Sequence, residues 1–205
     1  MALLYSYGFV FAVIGVSALL GKVGLLSDEG SRKFIHIGVG NWIILAYMLF
    51  DNLLIALIGP ASFIVLNYLS YRYHWIAAME RQDDTRNSLG TVYYAISLFV
   101  VVFLDYLIEG AWAYSLLPIL VMAYGDGLSA IVGLKFSSKQ LINHKSVYGT
   151  MTMFVVTLII GFILLSTVWM VVIVAVVATL VELFSPRGYD NLSVPLVLYI
   201  VMLLL

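Results

Sequence analysis

The sequence predicts an all-α fold: a polytopic bundle of about seven to eight transmembrane helices, forming a single transmembrane domain over residues 1–205. Three observations predict it. Hydrophobic residues make up 63% of the chain and charged residues 10%, against about 25% charged in soluble globular domains. Asp, Glu, Lys and Arg are absent from 1–21, 52–71, 91–104, 149–181 and 192–205, and a crossing helix needs roughly 17–25 apolar residues. An outer-membrane barrel would instead show segments of about ten residues alternating between apolar and polar, and no such pattern occurs.

Crossings are expected near 3–21, 34–50, 53–71, 91–108, 112–134, 149–165, 168–184 and 192–205. The first, within MALLYSYGFVFAVIG, has no basic n-region or clear small-residue cleavage site, so it reads as a retained helix rather than a signal peptide. SRKFIHIG (31–38) opens the second. The third and fourth flank the longest loop, HWIAAMERQDDTRNSL (74–89), which is amphipathic enough to lie along a membrane surface. In the fifth, Pro118 and the glycines around Asp126 predict a break or distortion near the inner end. The run 149–181 with its flanks suits two short helices turning near Ser166-Thr167, and the last crossing is short enough for half insertion.

With eight crossings, the loops 22–33, 72–90, 135–148 and 185–191 fall on one side. They hold all ten basic residues: Lys22, Arg32, Lys33, Arg72, Arg81, Arg86, Lys135, Lys139, Lys145 and Arg187. The opposite loops hold only Asp51, Asp105 and Glu109. Basic residues accumulate on the cytoplasmic side, which puts both termini outside, and in the cell membrane if the chain is prokaryotic. Trp112 and Trp169 at outer ends and Trp75 at an inner end suit aromatic interface anchors. The net charge of −1 points to no particular partner, and nothing suggests nucleic acid. The absence of cysteine excludes disulfides, thiolate zinc sites and thiol nucleophiles. No internal repeat is evident, which weakens an inverted-repeat transporter.

The chemistry-bearing residues gather at the inner ends. Arg32, Lys33 and His36 share one face of a helix. They make either a positive-inside anchor or a cationic patch for phosphate. Asp126 lies between Gly125 and Gly127 in AYGDGLSAIVG (123–133). An intramembrane carboxylate costs about 2.5–3.5 kcal/mol on insertion scales and is a functional candidate by default. The glycines offer amides to phosphate oxygens; the plainer reading makes Asp126 a cap for a short helix holding Ser129 and Ala130.

In NHKSVYGT (143–150), Lys145-Ser146 resembles the end of a P-loop, but G-x-x-x-x-G-K-[ST] is missing. Lys145, Ser146, Gly149 and Thr150 still make an anion site at a helix N-terminus, or Lys145 is an anchor. In VELFSPRGYDNLSVP (181–195), Asp190 and Asn191 suit an N-cap. Glu182 is different: at a helix C-terminus the dipole opposes a carboxylate, and a bound cation would remove the conflict. Thr91, Tyr93 and Tyr94 open the fourth crossing, where the tyrosines suit either belt residues or ligands. Together, acids, cations and glycine turns on one face suit Mg²⁺–nucleotide chemistry, in which one or two carboxylates and substrate phosphates hold the ion.

Four stretches in order, RKFIH (32–36), GDGLSAIVG (125–133), KSVYGT (145–150) and ELFSPRGYDNLSVP (182–195), resemble the motifs of the dolichol kinase and phytol kinase family. The resemblance runs from residue 32 to 195. It implies a polytopic enzyme that phosphorylates a lipid alcohol, typically from CTP; related members act on diacylglycerol. It further implies that Asp126, Lys145, Asp190 and Asn191 belong to a CTP and metal site, with Arg32, Lys33 and His36 in the same pocket. Tyr148 stands where a KSxEGS-like motif has an acid, and Thr150 replaces its final serine while keeping the hydroxyl. The short chain favours the compact phytol- and prenol-kinase branch over eukaryotic dolichol kinases.

The expected mechanism has CTP–Mg²⁺ arriving from the cytoplasm and an isoprenoid alcohol arriving sideways from the inner leaflet. Asp126 with Glu182 or Asp190 holds the metal, Lys145, Arg32 and Lys33 clamp phosphate oxygens, and His36 positions or deprotonates the hydroxyl. Two rivals are a cytidylyltransferase passing CMP to a lipid phosphate and a transporter using Asp126 as an ion site.

Overall fold

A computed structural model describes residues 1–73, 89–109, 112, 114–186 and 188–205. Trp75, Arg81, Arg86 and the rest of the expected surface segment up to Ser88 lie outside the described residues, as does Arg187. Helix α1 (Ala2–Lys22) is uncharged until its last residue. Gly24 at φ +77° ends its turn in a conformation only glycine adopts freely. Ser27 then caps α2 (Asp28–Gly40): its side chain accepts from Gly30 N at 3.1 Å, and Asp28 and Glu29 occupy the first turn.

The second crossing therefore starts at Asp28 rather than near 34, and RKFIH lies well inside it instead of opening it. It is also split. After Asn41 it continues as α3 (Trp42–Leu49), with Asn41 Nδ2 donating to Ile37 O (2.9 Å) and Oδ1 accepting from the Tyr124 hydroxyl (2.8 Å).

A short α4 (Leu53–Ala56) precedes α5 (Ile58–Tyr73), and α6 (Gly90–Leu107) follows. The fifth crossing bends its winding without breaking. α7 (Leu116–Leu120) runs into a π-helical segment, Val121–Asp126, and on into α8 (Gly127–Lys135). Ser146 caps α9 (Val147–Leu164), and α10 (Val168–Phe184) and α11 (Asp190–Leu204) complete the chain.

Among the described residues, five stretches are long and apolar enough to cross a membrane: Ala2–Lys22, Leu53–Tyr73, Gly90–Leu107, Leu116–Lys135 and Val147–Leu164. α10 and α11 are shorter apolar helices, and no strand occurs among the described residues. The chain is an all-α membrane bundle.

In lipid the hydrophobic effect does not drive helices together, so close packing at small residues does much of the work. The π segment is the hub: Val121, Met122 and Ala123 are fully buried. α2 crosses it so closely that a Cβ on Gly40 would sit 2.1 Å from Ala123 Cβ. On its other side α9 packs in, where a Cβ on Gly125 would sit 2.4 Å from Met153 Sδ. α9 also packs on α8 and α10, α6 on α5 and α11, and α1 on α2.

Two expectations for the outer half fail. Trp112 is buried in the core at φ +71° and anchors nothing at the interface, whereas Trp169 is exposed. Asp105 is no loop residue: it sits in the last turns of α6, fully buried, and accepts from Ser115 N and the Tyr199 hydroxyl, each at 3.0 Å.

Candidate active site

Capping at Ser27 sets the phase of α2, and that phase turns Lys33 and His36 toward the π segment. Lys33 Nζ donates to Asp126 Oδ2 at 2.7 Å, both groups being buried. His36 Nε2 lies 3.3 Å from the same oxygen and 3.2 Å from Met122 O. Both neighbours accept only, so Nε2 holds the ring proton and Nδ1 is the basic nitrogen. The Tyr94 hydroxyl donates to His36 O at 2.9 Å, and the two rings meet edge to face at 4.7 Å. Asp126 makes no side-chain cap for α8; its carboxylate goes to Lys33 and His36. Ser129, one turn on, donates to Asp126 O at 3.0 Å.

Lys145 arrives from the other side on a constrained turn. Asn143 (φ +55°) and His144 (φ +60°) both occupy the left-handed region, which costs a non-glycine residue of order 1 kcal/mol or more. The turn is over-determined. Asn143 Nδ2 donates to Leu183 O (3.2 Å) and Phe184 O (3.0 Å) at the end of α10, Leu141 N to Lys145 O (2.6 Å), and Val147 N to Lys139 O (3.1 Å). Lys145 Nζ then bonds Glu182 Oε1 and, at 2.9 Å, Asp190 Oδ2. Glu182, which the α10 dipole disfavours, thus has its cation from within the chain. Burial works against charge on Lys145, but Asp190, Glu182 and Asp126 outweigh it and hold the ammonium above the usual lysine range.

One oxygen from each of Asp126, Glu182 and Asp190 falls within 4.8 Å of the others, and all three residues are buried. Two lysines face three carboxylates, so with all three ionised the formal charges leave one negative charge over. Among the described residues, four buried side-chain polar atoms lack a hydrogen-bond partner: Glu182 Oε2, Asn191 Oδ1, Thr150 Oγ1 and Ser70 Oγ. All four residues line one cavity of about 900 Å³ that also takes in the carboxylates. Unpartnered buried polar atoms are rare and ask for an explanation such as an ion, and hard oxygen donors around residual negative charge fit Mg²⁺.

The other predicted residues are placed as follows. Arg32 stands at the cavity, with its guanidinium on Glu29 (Nε to Oε2, 2.9 Å). Gly125 and Gly127 are helical and serve close packing, Gly127 against Ile37. Ser146 Oγ is engaged as the α9 cap, accepting from Gly149 N at 3.1 Å. Gly149 lets α9 approach α8, where a Cβ would sit 2.9 Å from Ser129 O. Asp190 opens α11 and accepts from Asn191 N (3.1 Å), while Asn191 Nδ2 donates to Gly90 O (3.0 Å). Tyr93 packs against Tyr189 with ring centroids 4.9 Å apart and the planes tilted by 37°.

The sequence reading passed over Ser129 as a site residue, although a serine one turn from Asp126 shares its helix face. It also missed Ser70, a lone serine in an apolar run with no signal around it.

The cavity continues from this cluster into an apolar limb walled by Val10, Ile14, Val39, Trp42, Phe63 and Leu98. Fold and site together define a membrane-embedded enzyme site, with a buried acid and lysine cluster at the head of an apolar chamber. The comparisons agree. The chain is 34% identical over 199 residues to a phytol kinase of Synechocystis sp., covering 92% of this chain and 84% of that one. It is 27% identical to phytol kinase 1, chloroplastic, of Arabidopsis thaliana over 95% of this chain and 75% of that protein. A farnesol kinase, chloroplastic, of the same plant shows 28% identity over 66% of this chain and 47% of its own. The chain belongs to the phytol kinase family. No protein-family model and no solved structure matches it.

Proposed function

We propose that the chain is a CTP-dependent kinase that transfers the γ-phosphate to the hydroxyl of an isoprenoid alcohol such as phytol, geranylgeraniol or farnesol. The relatives' names support a prenyl-alcohol kinase. The observation that carries the reading is the joined cavity: a carboxylate and lysine cluster with unpartnered acceptors opens directly into an apolar limb. A phosphate donor needs the first part and a lipid tail the second.

Asp126, Glu182 and Asp190 would hold Mg²⁺, with Thr150 and Asn191 beside them. When bound, the ion draws charge from the donor's phosphate oxygens and so favours departure of the diphosphate. Lys33 fixes Asp126. Lys145 is strung between Glu182 and Asp190 and reaches phosphate oxygens by rotating its ammonium. Arg32 keeps guanidinium N–H groups beyond those engaged by Glu29. His36 Nδ1 takes the proton as the alcohol oxygen bonds to the γ-phosphorus and the bond to the β–γ bridging oxygen breaks, releasing CDP. Lys22, Arg32, Arg72, Lys135 and Lys145 mark this end of the bundle as basic, which supports a cytoplasmic site.

The test uses purified protein in lipid with Mg²⁺ and an alcohol panel, with CTP labelled at the γ- or the α-phosphate. Label in the lipid from γ alone is expected. Label from α, with a prenyl phosphate or phosphatidate supplied, would instead make the chain a cytidylyltransferase. ATP labelled at γ run in parallel decides the nucleobase.

A further inference from the structure

The way the cavity ends carries a further inference, which rests on the kinase reading. Along α1, α3, α5 and α6 the lining residues farthest from the carboxylates are Val10, Trp42, Gly59 and Leu98. Gly59 lies about 16 Å of helix axis beyond Ser70, at 1.5 Å per residue, so the limb is deep as well as apolar. Behind it the bundle is closed: Ile43, Ala46 and Ala56 have no exposed surface.

Trp42 does more than fill space there. Its indole Nε1 donates to Ser6 Oγ at 2.6 Å, a buried bond joining α3 to α1. A buried indole N–H needs a partner, and satisfying it on α1 holds the ring in one orientation. Across from the ring stands Gly59, where a Cβ would sit 3.6 Å from Trp42 Cζ2 and 3.8 Å from Ser6 Oγ. The chamber thus ends on a fixed aromatic plate with a residue opposite that contributes no side chain.

At this level α1 and α5 are stitched together by Tyr7 OH and Ser62 Oγ at 2.7 Å, and Ser62 Oγ also donates to Gly59 O at 2.7 Å. A tail therefore has no side exit at the floor between these two helices. A rigid wall discriminates more sharply than a flexible one, because a longer chain cannot be accommodated by a swing of the ring.

We propose that Trp42, locked by Ser6 and faced by Gly59, is the floor of the isoprenoid-tail limb and sets the longest alcohol the site accepts. The occupant is the hydrocarbon tail of the substrate, since the limb opens at its other end onto the cluster that must receive the hydroxyl.

The test compares wild type, Trp42→Ala and Gly59→Ala in lipid with CTP and Mg²⁺. It measures kcat/KM for geraniol, farnesol, geranylgeraniol and a longer polyprenol. One methylene more or less in an apolar pocket shifts discrimination roughly 10–200-fold. Trp42→Ala is therefore expected to raise kcat/KM for alcohols beyond the wild-type limit about tenfold relative to shorter ones. Gly59→Ala, whose methyl meets only ordinary contacts, is expected to lower kcat/KM for the longest accepted alcohol about tenfold relative to geraniol.

Should Trp42→Ala fail to fold, Gly59→Ala decides alone. An unchanged length profile in active variants overturns the floor and leaves the kinase reading intact. Failure of the wild type to phosphorylate any alcohol overturns both.

Discussion

Buried acids at opposite ends of the bundle show how differently the same group can be held. At the end away from the cavity, Asp105 has both oxygens satisfied, one by Ser115 N and one by the Tyr199 hydroxyl. It ties the segment before α7 to α11 and is not among the residues that line the cavity of the carboxylate cluster. At the cavity end, Asp126, Glu182 and Asp190 share two lysines, and Glu182 Oε2, Thr150 Oγ1 and Asn191 Oδ1 are left without partners. A buried acid whose bonds are all made serves stability. A group of acids with bonds still open serves a ligand.

That contrast can be broken at several points. The largest effect is expected from Asp126→Asn, which removes the charge held between Lys33 and His36. Transfer should fall by about 10³ or more, since single electrostatic contacts in such sites are worth about 10²–10³. The protein should still insert and elute as wild type; a variant with near-normal kcat would end the metal and phosphate role of this residue.

Glu182→Gln comes next, with an expected loss of about 10² in kcat/KM. Thermal unfolding offers a check that does not use activity. Mg²⁺ with CTP should raise the wild-type midpoint, as any ligand of the folded state does, and raise that of the glutamine variant far less.

Thr150→Val sharpens the comparison most. It deletes a buried hydroxyl that has no partner, so stability should hold or rise, while kcat/KM drops about tenfold. A drop in melting temperature instead would mean that the hydroxyl is bonded within the fold. Asp105→Ala should do the reverse: a loss of about 1–3 kcal/mol from stranding Ser115 N and the Tyr199 hydroxyl, read by denaturation, with kcat unchanged. Lost turnover at full folding would make Asp105 functional after all.

Much of this was legible in the chain. Uncharged runs located most of the long apolar helices, and the charge of the loops located the end of the bundle that holds the acids and lysines. The expected start of α2 was late because the reading followed the hydrophobic pattern and passed over Ser27-Asp28-Glu29, a polar cap and acidic first turn that mark a helix start by themselves. What the sequence could not supply was pairing. Lys33 meets Asp126 from 93 residues away and Lys145 meets Glu182 from 37, and no local rule says which lysine takes which acid. Trp112 and Asp105 were misplaced for a related reason: hydropathy reports how a residue partitions, whereas burial in a bundle depends on which neighbours arrive from α7 and α11. The glycines around Asp126 were read for their amides, and the structure uses their missing side chains.

The π-helical segment Val121–Asp126 has one more consequence. A helix that widens for one turn absorbs an additional residue, which in a regular α-helix would advance everything after it by about 100° around the axis and 1.5 Å along it. The widened turn thus joins two pieces of one helix that differ in phase: one is keyed to the core, and the other presents Asp126 to Lys33 of α2. Were this turn to rewind as regular α-helix with every residue kept, composition, hydropathy and length would be untouched, yet the carboxylate would turn away from Lys33. In such a bundle the aim of a buried acid is set by how a single turn is wound.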